Sequence, residues 1–176
     1  MVLKADLHRK KMVDTQLRSR GIRDERILQI METLPRERFI PAAENDAEGQ
    51  RAYLDQPLPI GFGQTISQPY IVALMTQSLD IQPEHQVLEI GTGYGYQTAI
   101  LAQLARKVYT MEIIEELSRQ ARINVSGVGL ANVEYFVGDA WHGWPGEIHF
   151  DRILVAAVAE EIPDMLLEQL AVTKKM

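Results

Sequence analysis

No cysteine occurs anywhere in the chain. Its absence excludes a disulfide framework, a thiolate nucleophile and a zinc site built on cysteine, and it suits a reducing compartment. Histidine is scarce: His8, His85, His142 and His149 are the four. No pair of them has the spacing by which a helix presents metal ligands, so no metal is expected, and His142 and His149 read as surface residues beside two core tryptophans, Trp141 and Trp144. Nowhere do eighteen apolar residues follow one another, and the opening stretch 1–11 mixes Lys, Arg, His and Asp without a signal-peptide run. A cytoplasmic location without a membrane partner is therefore expected. An excess of positive charge is lacking too. The formal net charge is -6 and the basic residues are scattered, which leaves no electrostatic footprint for a nucleic acid, and none is expected as a partner.

What is present suits one folded domain over 1–176. Apolar residues make up 46% and charged residues 24% of 176, enough to bury a core without metal or disulfide support. Apolar residues recur at three and four residue steps over 7–17 and 27–34, which predicts two short helices separated by a loop at Gly21 and Ile22. Asp24 suits the N-cap of the second and Pro35 marks its end. Between 41 and 68, Pro57, Pro59, Gly61 and Gly63 punctuate what reads as a structured loop. A helix over 69–79 follows, with Pro69 in the tolerated first turn. After Pro83 short apolar runs at 87–90, 108–112, 133–137 and 151–157 alternate with helical patterns at 96–104, 115–124 and 162–170. That alternation predicts an α/β fold with a parallel sheet and helices on both faces. The halves read as 1–80, helices and a loop, and 81–170, a βαβ core.

The first of those strands runs into Gly91-Thr92-Gly93-Tyr94-Gly95, where an open α/β sheet meets nucleotide-type ligands. A tight turn with no ligand is the plain alternative. Tyr96 stands where the dinucleotide fingerprint needs its third glycine, which disfavours a nicotinamide-dependent oxidoreductase. Glu112 ends the second strand about twenty residues on, where an acid can accept both ribose hydroxyls of an adenosine. Glu89 precedes the glycines and Asp139 ends the third strand. Acids at three strand ends favour a cationic ligand over a polyphosphate. S-adenosylmethionine, with a sulfonium and an ammonium group, is such a ligand.

These residues lead to a resemblance. The segment 58–70, LPIGFGQTISQPY, and the turn 87–99, VLEIGTGYGYQTA, resemble those of the protein-L-isoaspartate O-methyltransferases; weaker likenesses are 34–41, LPRERFIP, and 161–163, EIP. The likeness runs over about 12–170. It implies a Rossmann-like methyltransferase core with an N-terminal helical extension. It also implies transfer of a methyl group from S-adenosylmethionine to the free carboxylate of L-isoaspartyl and D-aspartyl residues in damaged proteins, leaving S-adenosylhomocysteine. By the same resemblance Ser67 is the active-site serine, and Gln64, Thr65, Ile66 and Ser67 lie along the cofactor. Glu89, Gly91, Thr92, Gly93 and Glu112 hold the cofactor, and Asp139 and Ala140 lie beside the adenine, with Ala140 in place of a more usual glycine. A carboxylate is already ionised at neutral pH, so Ser67 reads as a donor that orients the substrate and not as a nucleophile.

The likeness stops at 171–176, AVTKKM, where the family continues into further strands, and the stretch 155–159, VAAVA, also departs from its pattern. The apolar run Ile153-Leu154-Val155 reads as a strand buried on both faces. Without neighbours it becomes a sheet edge, and a homodimer formed through that edge, or poor solubility, is expected. A shortened homologue that binds S-adenosylmethionine or S-adenosylhomocysteine without turnover is the alternative reading.

Overall fold

The computed structural model of the protein describes residues 4–46, 49–157 and 161–171. The chain divides into two units, Met1–Asp80 and Ile81–Met176.

In the first unit α1 (Lys4–Met12) continues into a π-helical stretch, Val13–Leu17, and a 3-10 turn, Arg18–Arg20. A single α-helix over 7–17 was the expectation. The wider π winding sets residues five apart on one side, and Met12 and Leu17, like Val13, are wholly buried. Gly21, at φ 96°, ends the run. Asp24 caps α2 (Glu25–Thr33) as expected, its side chain accepting from the Arg26 amide at 2.9 Å. The helix stops before Pro35, which disfavours helical backbone at the residue ahead of it.

The segment expected to be irregular carries a hairpin instead. β1 (Leu58–Gly61) pairs antiparallel with β2 (Gln64–Ile66), Leu58 opposite Ile66 and Pro59 opposite Thr65. A two-stranded ladder has an edge that can spare a donor, so Pro59 is tolerated. Leu58, Ile60 and Ile66 are buried. The return is made with positive φ at Gly61, Phe62 and Gly63 (89°, 54° and 72°). α3 (Pro69–Ser78) has proline at its N-terminal end, as expected.

The second unit is an open parallel sheet of β3 (Gln86–Ile90), β4 (Lys107–Glu112), β5 (Val133–Val137) and β6 (Arg152–Val155), in the order β5-β4-β3-β6. Between them run α4 (Tyr96–Leu104) and α5 (Glu115–Gly127), with α6 (Asp164–Glu168) after β6. On one face Leu88, Ile90, Tyr109, Met111, Trp144, Phe150 and Leu166 form a core cluster. In register across β3, β4 and β5, Glu89, Thr110 and Tyr135 form one row.

β6 is shorter than the expected 151–157 and is not buried on both faces. Leu154 is 4% exposed, whereas Val155 is 36% exposed. The cause is its place at one end of the sheet order. Beside its start the chain returns: the Phe150 amide donates to the Gln169 carbonyl and the Ala171 amide to the Phe150 carbonyl, each at 2.8 Å. This parallel bridge of Phe150 with Leu170 takes residues 169 and 170 out of the helix expected over 162–170. Residues 158 and 159 of the divergent stretch, and 172–176 of the tail, lie outside the described residues. Among the described residues no helix is long and apolar enough to cross a membrane, and no cluster of three acids or histidines is placed to hold a metal.

Candidate active site

The sequence between β3 and α4 folds as a tight turn because glycines occupy the positions that need it. Gly91 has φ 92°, and a Cβ there would lie 3.1 Å from the Ala157 amide nitrogen. The backbone therefore closes against the end of β6 where a side chain could not. This is also where the strand order reverses, with β4 on one side of β3 and β6 on the other, the place where open α/β sheets bind ligands.

A cavity of about 420 Å³ opens at the carboxyl ends of the four strands, lined by Gly91, Glu112, Ile113, Asp139, Trp141 and Ala157 among others. Its volume suits a nucleoside-sized ligand. Glu112 is only 7% exposed. Its Oε2 accepts from the Gly93 amide at 2.9 Å and its Oε1 from the Ile114 amide at 3.1 Å. Two backbone donors thus fix the carboxylate at the mouth of the glycine turn. Asp139 caps the 3-10 turn Ala140–His142, accepting from the Trp141 amide at 2.9 Å. Two acids and no cation line the cavity among the described residues.

Glu89 sits differently from the other two acids. Its side chain is wholly buried, and among the described residues it is not part of the cavity lining. Its Oε2 accepts from the hydroxyls of Thr98, at 2.5 Å, and Thr110, at 2.6 Å. Thr110 is in turn 2.6 Å from the Thr92 hydroxyl in the glycine turn. Burial pushes the carboxyl up to about 7; the two hydroxyls pull against that rise and the nearby Glu112 charge adds to it.

Of the residues expected to form a site, Gly91, Glu112, Asp139 and Ala140 come together around this cavity. Gly93 reaches it through its hydrogen bond to Glu112, and Thr92 and Glu89 belong to the hydroxyl network. Gln64, Thr65, Ile66 and Ser67 belong to the other unit. There Gln64 and Thr65 are exposed, Ile66 is buried and Ser67 is half-buried. The Ser67 carbonyl accepts from Arg36 Nη2 at 2.9 Å, and Arg36 Nε donates to the Ala52 carbonyl at 2.7 Å. Sequence reasoning gave Arg36 no role, although it lies in the segment LPRERFIP. It also took Trp141 and Trp144 for core residues. Trp144 is one, at 6% exposed, but Trp141 is 52% exposed and lines the cavity. The cap at Asp139 turns the chain outward before Trp144 re-enters. Ile113, 67% exposed beside Glu112, was likewise missed.

Comparison with known proteins gives a consistent result. A family model described as protein-L-isoaspartate(D-aspartate) O-methyltransferase matches residues 7–176. A protein-L-isoaspartate O-methyltransferase from a Synechococcus species is 52% identical over 164 residues, covering 93% of this chain and 66% of that one. A solved protein-L-isoaspartate O-methyltransferase superposes with a TM-score of 0.82 at 28% identity, over 93% of this chain and 52% of its own. A Plasmodium falciparum structure described as a putative member, in complex with S-adenosyl-L-homocysteine, superposes with a TM-score of 0.77 at 24% identity, over 93% and 79%. The chain thus spans about two thirds of that Synechococcus relative and about half of the first solved chain, and its fold is the Rossmann-like methyltransferase core.

Proposed function

The chain belongs to the protein-L-isoaspartate(D-aspartate) O-methyltransferase family, and from that premise we propose that it methylates the free carboxylate of L-isoaspartyl and D-aspartyl residues in damaged proteins, with S-adenosylmethionine as donor. The observation that carries the reading is the cavity lined by Glu112 and Asp139 beside the Gly91 turn. A donor set of two acids without a cation attracts a ligand bearing sulfonium and ammonium charge and repels a polyphosphate. When bound, S-adenosylmethionine supplies an electrophilic methyl group, which the substrate carboxylate oxygen takes while the carbon–sulfur pair stays on sulfur, so that no proton moves.

The chain's own residues bind and orient. Glu112, clamped by two amides, accepts from the ribose hydroxyls. Asp139 and Ala140 lie along the adenine, and Glu89, Gly91, Thr92 and Gly93 shape the turn. In the first unit Gln64, Thr65, Ile66 and Ser67 lie along the donor, and Ser67 also donates its hydroxyl to the substrate carboxylate. Alignment and exclusion of water are what the protein contributes, since the nucleophile is ionised at neutral pH without help.

The test is incubation with methyl-labelled S-adenosylmethionine and an isoaspartyl peptide beside its normal aspartyl counterpart. Label in the isoaspartyl peptide alone is expected, and Ser67→Ala is expected to lower kcat/KM about 10- to 100-fold. Equal label in both peptides overturns the substrate assignment; donor binding without transfer supports the binding-only alternative. For the remaining partners, we take the protein to act in the cytoplasm without nucleic acid or membrane. Two copies are taken to pair through β6, for which concentration-dependent light scattering is the check.

A further inference from the structure

The buried carboxyl of Glu89 has a surplus acceptor. Its Oε2 receives both threonine hydroxyls, whereas Oε1 has no partner among the described residues. The groups that face it are few. β4 presents Thr110 and, at its end, Glu112; α4 presents Thr98; β6 places Leu154 in the adjoining register; β5 presents Tyr135. A cation at the far end of this row is Arg122 on α5, held 4.7 Å over the Tyr135 ring and donating to the Tyr135 carbonyl at 3.1 Å. A wholly buried carboxylate served by two neutral donors and facing another acid is less stable than the neutral acid. A proton on Oε1 leaves Oε2 free to accept from both hydroxyls. In either state Thr110 commits its one proton to Oε2, so Thr92 donates to Thr110. A line of hydrogen bonds then runs from Glu89 into the turn whose Gly91 lines the cavity.

We propose that Glu89 is the proton store of this cavity, holding a proton in the free protein and releasing it to solvent when a cationic adenosyl ligand binds. The inference rests on the donor assignment above and adds to it a proton-linked selection for charge. The balance is simple: the O–H bond at Oε1 breaks, the proton goes to water or buffer, and no bond of the ligand changes. In the low-dielectric interior the ionised carboxylate and the incoming cation stabilise one another more than they would in water, so uptake of one drives loss of the other. A neutral ligand of the same shape gives Glu89 no reason to ionise.

Calorimetry of the full chain at about pH 6, in two buffers of different ionisation enthalpy, counts the protons released. With S-adenosylmethionine the expected count is about 0.5 to 1 per ligand, near zero for the neutral thioether 5′-methylthioadenosine, and near zero for Glu89→Gln with either. Affinity for S-adenosylmethionine is expected to rise up to about tenfold per pH unit from about pH 5 and to level off above about pH 7. Should Glu89→Gln fail to fold, Thr110→Val removes one donor to Oε2 and is expected to move the levelling point to higher pH. Binding without buffer-dependent heat, release that persists in Glu89→Gln, or a levelling point unmoved in Thr110→Val overturns the proposal while leaving the donor assignment standing. No heat with any adenosyl ligand brings down the donor assignment and this inference together.

Discussion

The amide of Gly93 donates to Glu112 Oε2 across 2.9 Å, so the turn and the acid at the end of the neighbouring strand hold each other in place. Glu112→Gln keeps the length of the side chain but sets an NH2 group against one of the two amides that now point at the carboxylate. Affinity for S-adenosylhomocysteine is expected to fall about 10- to 100-fold, equivalent to about 1.4–3 kcal/mol. Titration calorimetry measures it; unchanged affinity would show that Glu112 does not meet the ligand.

Gly91→Ala asks for a Cβ at φ 92° and 3.1 Å from the Ala157 nitrogen. Left-handed backbone alone costs a side-chain residue about 1–2 kcal/mol. The variant is expected to lose at least that in urea unfolding, and to bind the adenosyl ligand more weakly because the end of β6 must move.

Glu89 gives the fold a pH dependence of the less common sign. Its carboxyl is raised from 4.5 to about 7 in the folded protein, so between those values the folded state holds a proton that the unfolded chain has lost. Its contribution to stability is therefore full below about pH 4.5, declines as pH rises towards 7 and is level above, a span of about 3 kcal/mol. Thermal unfolding of Glu89→Gln is expected to lack this component, so the variant gains on the parent protein as pH rises from 4.5 to 7. A constant difference between the two across that window would refute it.

Two tryptophans report on different places. Trp144 is buried, with the Tyr109 and Phe136 rings 5.2 and 5.7 Å away, while Trp141 lies half-exposed on the cavity. Binding of S-adenosylhomocysteine is expected to change the emission of Trp141, and Trp141→Phe is expected to abolish most of the response. A signal that survives that substitution would place the ligand elsewhere.

The sheet was legible because its strands are short apolar runs bounded by clear breaks, and parallel strands need little else to declare themselves. Asp24 was legible because capping chemistry is local. The hairpin at 58–66 was not. Its strands have four and three residues, and Pro59 with two glycines reads as punctuation until the pairing is seen. The acids split in the same manner. Spacing brought Glu112 and Asp139 to the cavity but could not tell that Glu89, inside the run Val87–Ile90, is buried among hydroxyls. Trp141 was misjudged because hydrophobicity says nothing about which side of a capped turn a ring leaves from.

The guanidinium of Arg36 has a final consequence for how the first unit can come apart. It is fully buried and reaches carbonyls at 52 and 67, sixteen and thirty-one residues away along the chain. Fraying of the segment around Ser67 would take one acceptor from a buried cation, which is costlier than exposing a few amides to water. Hydrogen exchange from the Ser67 neighbourhood is therefore expected to follow the opening of segments distant in sequence, because one side chain bonds to both.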